Sequence, residues 1–131
     1  QRHAGGFDPR DLTAAGLRPV AGPADLAAGA AAVRQVQVSP EVAAYIVDIA
    51  RATRQSPSLS LGVSPRGATA LLATSRAWAW LNGRGYVTPD DVRAMRYGVL
   101  RHRLVLTFDA LASGIKPEQI IDAVFHAVPM P

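Results

Sequence analysis

Between Pro40 and Arg54 the apolar residues Val42, Tyr45, Ile46 and Ile49 recur at i, i+3, i+4 and i+7, while Glu41, Asp48, Arg51 and Arg54 fall elsewhere on the wheel. That period predicts an amphipathic helix laid by one face on a core. From Pro65 to Leu81 the chain is apolar around most of a helical circumference, through Ala68, Leu71, Leu72, Trp78, Ala79 and Leu81. This predicts a helix set centrally among the others, stopped by a left-handed Asn82-Gly83. A further helix follows from Pro89 through Val92, Met95 and Val99 to Leu100, with Arg93, Arg96 and Arg101 toward its C-terminal half, where the macrodipole favours cations. Leu104 to Phe108 reads as a short extended run, and Ile120, Ile121, Val124 and Phe125 mark a last helix that ends before Val128-Pro129.

Five helix starts carry proline at or near the first helical position, where its missing N–H costs nothing: Pro23, Pro40, Pro65, Pro89 and Pro117. The expected fold is therefore all-α, a small bundle of four to five helices with a short extended segment near 104–108. Residues 1–22 contain Gly5-Gly6, Asp8-Pro9, Gly16, Arg18-Pro19 and Gly22-Pro23, a density of breakers that predicts a lead-in segment ahead of a helical domain over residues 23–131.

Composition agrees with helices. The 49% hydrophobic content comes mainly from alanine, leucine and valine, with 6% aromatic residues, and 131 residues suit one domain with a real core. There is no cysteine, which excludes disulfides and thiolate sites and fits a reducing cytoplasm. No run approaches the roughly eighteen apolar residues of a membrane span, so the expectation is a soluble cytoplasmic domain with no membrane partner. The net charge is +4, and thirteen of the fourteen basic residues are arginines spread from Arg2 to Arg103, a pattern that fits a solvated surface or an anionic partner. His3, His102 and His126 lack metal-ligand spacing, and no serine has a nucleophile-elbow context. Trp78 and Trp80 are two residues apart and cannot share a helical face, which predicts at least one in the core and the other near a domain or subunit contact.

The helix starts also form an internal control. The first turn of a helix exposes free N–H groups and about half a positive charge, which favours acids. Asp25, Glu41, the pair Asp90 and Asp91, and Glu118 obey this at four of the five starts. Ser64-Pro65-Arg66-Gly67 does not: it carries Arg66 instead, at a cost of about 0.3–1 kcal/mol, followed by Gly67, which is about 1 kcal/mol worse than alanine inside a helix. Backbone N–H groups, a helix dipole and a guanidinium converging there suit a bound phosphate or carboxylate, with Ser64 as N-cap. The competing reading has Arg66 reaching back to a carboxylate such as Asp48, or lying in solvent.

In order along the chain, Leu61-Gly-Val-Ser-Pro-Arg-Gly67, Ala70-Leu-Leu72, Gly85-Tyr-Val-Thr-Pro-Asp-Asp-Val92 and Leu100-Arg-His-Arg-Leu104 resemble the C-terminal helical lid of the MoxR branch of AAA+ ATPases. The resemblance extends to Arg51-Ala-Thr-Arg54 and to Ala127-Val-Pro-Met-Pro131, and Gln1 to Phe7 resembles the end of the ATPase core's last helix. It implies a lid closing over ATP held by an upstream core that supplies the magnesium, with residues 1–22 as the linker from that absent core. Arg66 matches the sensor 2 arginine that contacts the γ-phosphate, and Gly67 stands where the family pattern has alanine, which predicts a less rigid helix start. First-helix residues of such lids often flank the base or ribose, which makes Tyr45, Ile46 and Ile49 candidates, although their spacing equally describes core. The family also implies ring assembly with neighbouring subunits and clients with von Willebrand factor A domains. No Gly-rich loop ending in Gly-Lys-Ser/Thr and no Walker B segment occur here, so hydrolysis and tight ATP binding are not expected of this chain alone.

Two readings from other classes compete. One is a free-standing basic helical domain that binds nucleic acid through a stripe of Arg93, Arg96, Arg101 and Arg103. The other is an oligomerisation or scaffold module.

Overall fold

The computed structural model describes residues 12–13 and 16–131. His3, Gln1 to Phe7 and the Asp8-Pro9 breaker therefore lie outside the described residues. The chain divides into two units, residues 1–31 and residues 32–131, with the division inside the first helix, α1 (Pro23–Gln35). In α1 no side chain is buried, and Asp25 Oδ2 accepts the Gly22 N–H at 2.7 Å.

The second unit holds α2 (Pro40–Gln55), β1 (Leu59–Leu61), α3 (Pro65–Leu81), α4 (Pro89–Leu100), a 3-10 turn (Arg101–Arg103), β2 (Val105–Leu106), α5 (Phe108–Ala112) and α6 (Pro117–Ala127). Five helices begin on the prolines the sequence marks. The apolar face of α2 is buried at Val42, Tyr45, Ile46, Ile49 and Ala50. It meets α6, which buries Ile120, Ile121, Val124 and Phe125; the Tyr45 and Phe125 rings touch edge to face at 6.2 Å between centroids. Such a pair adds about 0.5–1.5 kcal/mol to the burial of its area.

The extended run near 104–108 is narrower than expected and has a partner that periodicity did not show. β2 pairs antiparallel with β1, Leu59 opposite Leu106 and Leu61 opposite Val105. Ser60 Oγ fastens the ribbon by donating to the Val105 carbonyl at 3.1 Å. Phe108 already belongs to a helix, the one-turn α5, because Thr107 caps it by accepting the Ala110 N–H.

The central placement of α3 is not observed. It buries Gly67, Leu71, Ser75 and Ala79, one residue every four, and so presents a single narrow stripe. All of these but Leu71 are small, which lets α4 approach, and Ser75 satisfies its hydroxyl on the Leu71 carbonyl at 2.7 Å. The expectation of a buried tryptophan fails with it: Trp78 and Trp80 are each 40% exposed. Ala79 is buried and Ala68 half-buried, while Trp78 and Leu81 lie exposed, so the apolar circumference of α3 is not buried all round. Beyond Leu81 the predicted stop is present, with Gly83 at φ 72° and the Arg84 and Gly83 N–H groups returning to the carbonyls of Ala79 and Trp80. The chain then turns back into α4.

Candidate functional site

The start of α3 is held from below by the last turn of α2. Thr53 is fully buried; its Oγ1 donates to the Ala50 carbonyl at 2.8 Å and accepts the Val63 N–H at 2.9 Å. Arg54 Nε donates to the Val63 carbonyl at 2.8 Å, so both backbone groups of Val63 are tied to α2. Gly62 permits the approach: a Cβ there would stand 2.7 Å from the Arg54 backbone nitrogen. Sequence reasoning singled out Arg51-Ala-Thr-Arg54 only as part of a resemblance. The readable signal for its role was a threonine on the apolar stripe of α2, where a hydroxyl needs a partner.

Ser64 then caps α3 in extended conformation, its Oγ accepting the Gly67 N–H at 3.2 Å. Pro65 has no N–H, so the Arg66 N–H is the one first-turn donor without an acceptor among the described residues. Gly67 is buried and does not open onto solvent. The Arg66 side chain is exposed and forms no hydrogen bond or ion pair with a described residue. The reading in which it reaches Asp48 is corrected, because Asp48 is paired with Arg51 at 3.4 Å. What stands at this helix end is an unneutralised cation beside a positive dipole.

Between α2 and α3, next to Pro65, runs a groove of about 450 Å³. Ile46, Val47, Ala50, Ala68 and Leu72 give it apolar walls, with Arg51 and Arg54 on its rim. All three residues expected to flank a base are buried in the core, and of them Ile46, 4% exposed, also lines this groove. Tyr45 is 2% exposed and turned to Phe125 on α6, which places it out of reach of a ligand in the groove.

The arginine stripe proposed for nucleic acid is engaged internally. Arg96 pairs with Asp122 at 3.1 Å and stacks on the Tyr97 ring, Arg101 meets Glu118 at 3.4 Å, and Arg93 and Arg103 donate to the carbonyls of Phe125 and Val99. The contacts of Arg93, Arg96 and Arg101 join α4 and its end to α6, and Arg96 and Arg101 have carboxylate partners there. Hydrogen bonding from the Tyr97 hydroxyl, outweighing a small burial effect and helped by Arg96, holds the Asp122 carboxyl below its ordinary value. At the start of α4, Asp91 is buried and bound by Arg84 and Thr88. Among the described residues no three histidine, aspartate or glutamate side chains gather as a metal site would need, and no helix is long and apolar enough to cross a membrane.

Known proteins resemble this chain in sequence and in fold. The family described as AAA lid domain matches residues 51–124. YeaC, an uncharacterized protein of Bacillus subtilis, is 41% identical over 99 residues, covering 76% of this chain and 31% of its own length. The chaperone MoxR1 of Mycobacterium tuberculosis is 42% identical over 96 residues, 66% of this chain and 26% of its own length. Protein MoxR of Paracoccus denitrificans is 35% identical, covering 95% of this chain and 43% of its own. A crystallised candidate ATPase from Cytophaga hutchinsonii superposes with a TM-score of 0.73 at 29% identity, over 77% of this chain and 33% of that one. The chain thus spans well under half the length of each of these relatives.

Proposed function

Because the chain belongs to the AAA lid domain family, in the MoxR branch of AAA+ ATPases, we propose that it closes over ATP bound to an ATPase core, with Arg66 as the sensor 2 arginine on the γ-phosphate. Residues 1–22 would link it to that core and residues 23–131 form the lid. The observation that carries this reading is the exposed Arg66 at a helix end that has no acid of its own. An arriving triphosphate neutralises both the guanidinium and the dipole, and the free Arg66 N–H is one more donor at the same helix end. Ser64 fixes the cap, Gly67 keeps the turn tight, and the α2–α3 groove takes the base or ribose against Ile46.

Magnesium and the residues that activate water come from the core, so the chain contributes a charge and a movement. The γ-phosphate is present before hydrolysis and absent after it, and Arg66 therefore binds the two states unequally, which a two-state coupling requires. Lid rotation of this kind would drive ring assembly with neighbouring subunits and remodelling of client proteins in the cytoplasm, clients with von Willebrand factor A domains among them.

The test is Arg66→Ala in the intact ATPase. Turnover should fall on the order of 10²-fold, as when another preorganised electrostatic donor is removed. Unchanged hydrolysis together with unchanged nucleotide affinity would overturn the assignment. Titrated calorimetrically with ATP, the 131-residue chain alone should give no tight binding.

A further inference from the structure

Gly67 has no conformational reason to be glycine, since its φ is not in the left-handed region. It sits in the first turn of α3, where alanine would be the better helix former. The reason is space. A Cβ at this position would stand 2.8 Å from Val63 Cγ1 and 3.4 Å from Arg103 Cδ. The Val63 side chain already occupies that volume, and the Arg103 shaft packs beside it at van der Waals distance.

Val63 is the residue tied to α2 through Thr53 and Arg54. Arg103 arrives independently, from the 3-10 turn that ends α4. That turn is fixed on both flanks by buried leucines, Leu100 and Leu104. The half-buried side chain of Arg103 passes over Gly67, and its Nε donates to the Val99 carbonyl at 3.0 Å. It thus spans the C-terminal carbonyls of α4, where a cation is favourable, and the N-terminal turn of α3. Val63 holds the entry to that turn and Arg103 its third helical residue, and Arg66 is the residue between them.

Resting on the sensor reading above, we propose that Arg103 is a positioning residue for Arg66: its side chain, anchored on the Val99 carbonyl and packed over Gly67, fixes the turn that carries the Arg66 guanidinium and N–H. It need not touch the nucleotide. A turn free to rock would leave Arg66 present but misplaced, and misplacement by about 1 Å can cost as much as 10²-fold in rate.

Two measurements decide this. In the 131-residue chain, amide hydrogen exchange at Gly67, whose N–H is held by Ser64 Oγ, should accelerate about tenfold in Arg103→Ala. Arg103→Met, which keeps the aliphatic shaft but loses the Nε–H, should fall between wild type and Arg103→Ala and guards against a variant that fails to fold. In the intact ATPase, Arg103→Ala should lower turnover about tenfold when Arg66 is present and by less than about twofold in an Arg66→Ala background, because a residue acting through another is non-additive with it. Equal losses in both backgrounds, or unaltered exchange at Gly67, would overturn the proposal. If instead Arg66→Ala alone changes neither turnover nor nucleotide affinity while Gly67 exchange still responds to Arg103, the sensor reading fails and the functional role of Arg103 goes with it.

Discussion

The starts of α3 and α4 use the same local device and finish it differently. Each has a hydroxyl N-cap followed by proline, Ser64-Pro65 and Thr88-Pro89. At α4 the third helical residue is Asp91, which accepts the Thr88 N–H at 2.8 Å and hydroxyl at 2.9 Å and is clamped by both terminal nitrogens of Arg84. At α3 the third residue is Gly67, the second is Arg66, and no acid stands in the first turn. One helix end is electrically complete within the chain; the other carries a cation and no acid of its own. The contrast matters more than the presence of an arginine: Arg51, Arg84, Arg96 and Arg101 are paired with Asp48, Asp91, Asp122 and Glu118, whereas Arg54, Arg93 and Arg103, like Arg66, have no carboxylate partner among the described residues.

The largest effect that tests this contrast is at the closed end. Asp91 is 2% exposed, and its removal strands the Arg84 guanidinium and the Thr88 N–H. Asp91→Ala should cost about 3–5 kcal/mol in urea denaturation, as breaking a buried pair does. Arg66→Ala should change stability by no more than about 0.5 kcal/mol. Burial pushes the Asp91 carboxyl up, but the hydrogen bonds from Arg84 and Thr88 together hold it below the ordinary range. Its folded value is therefore lower than its unfolded one, so its stabilisation is complete at neutral pH and is lost as pH falls below about 4 toward the folded value. A melting series against pH should show that acid limb in wild type and a flatter one in Asp91→Asn; the same limb in both would assign the acid sensitivity to other carboxyls.

A smaller effect probes what holds the open end in place. Thr53→Val keeps the shape of the α2 stripe but leaves the Val63 N–H without its acceptor, which should cost about 1–3 kcal/mol. Exchange at the Val63 amide should rise more than at amides of α6. A loss spread evenly over the whole second unit would mean that Thr53 supports the core in general and not the Arg66 turn in particular.

Much of this was legible in the chain. Proline at the first helical position fixed five helix starts, and the 3.6-residue period of Val42, Tyr45, Ile46 and Ile49 named the core face of α2. The oddity of Arg66 was visible because the other starts supplied a comparison. Long-range pairings were not legible. β1 is three residues long and its partner lies more than forty residues on, so no local alternation marks it. The reason for Gly67 lay in the Val63 side chain one turn earlier, whose position only the fold sets, and only folding brings Arg103 beside it. The apolar circumference of α3 misled because large apolar side chains such as Trp78 and Leu81 also occur on exposed surface, and spacing alone does not separate those from core. Tyr45 misled in the opposite direction: it fits a ligand wall and a core equally by spacing, and only its contact with Phe125 decides.

The smallest effect is the most discriminating. If the α3 start is unsatisfied by design, a carboxylate at position 66 repairs it, and Arg66→Glu should stabilise the 131-residue chain by about 0.3–1 kcal/mol at low ionic strength, with the gain shrinking as salt screens it. In the intact ATPase the same substitution should abolish the benefit of the sensor, since a negative charge would now face the γ-phosphate. Stability and turnover would move in opposite directions at a single residue, as expected where a local cost is tolerated for function. A destabilised Arg66→Glu chain would point the other way: the guanidinium would then be serving the fold, and the likeness between the two helix starts would run deeper than their charges.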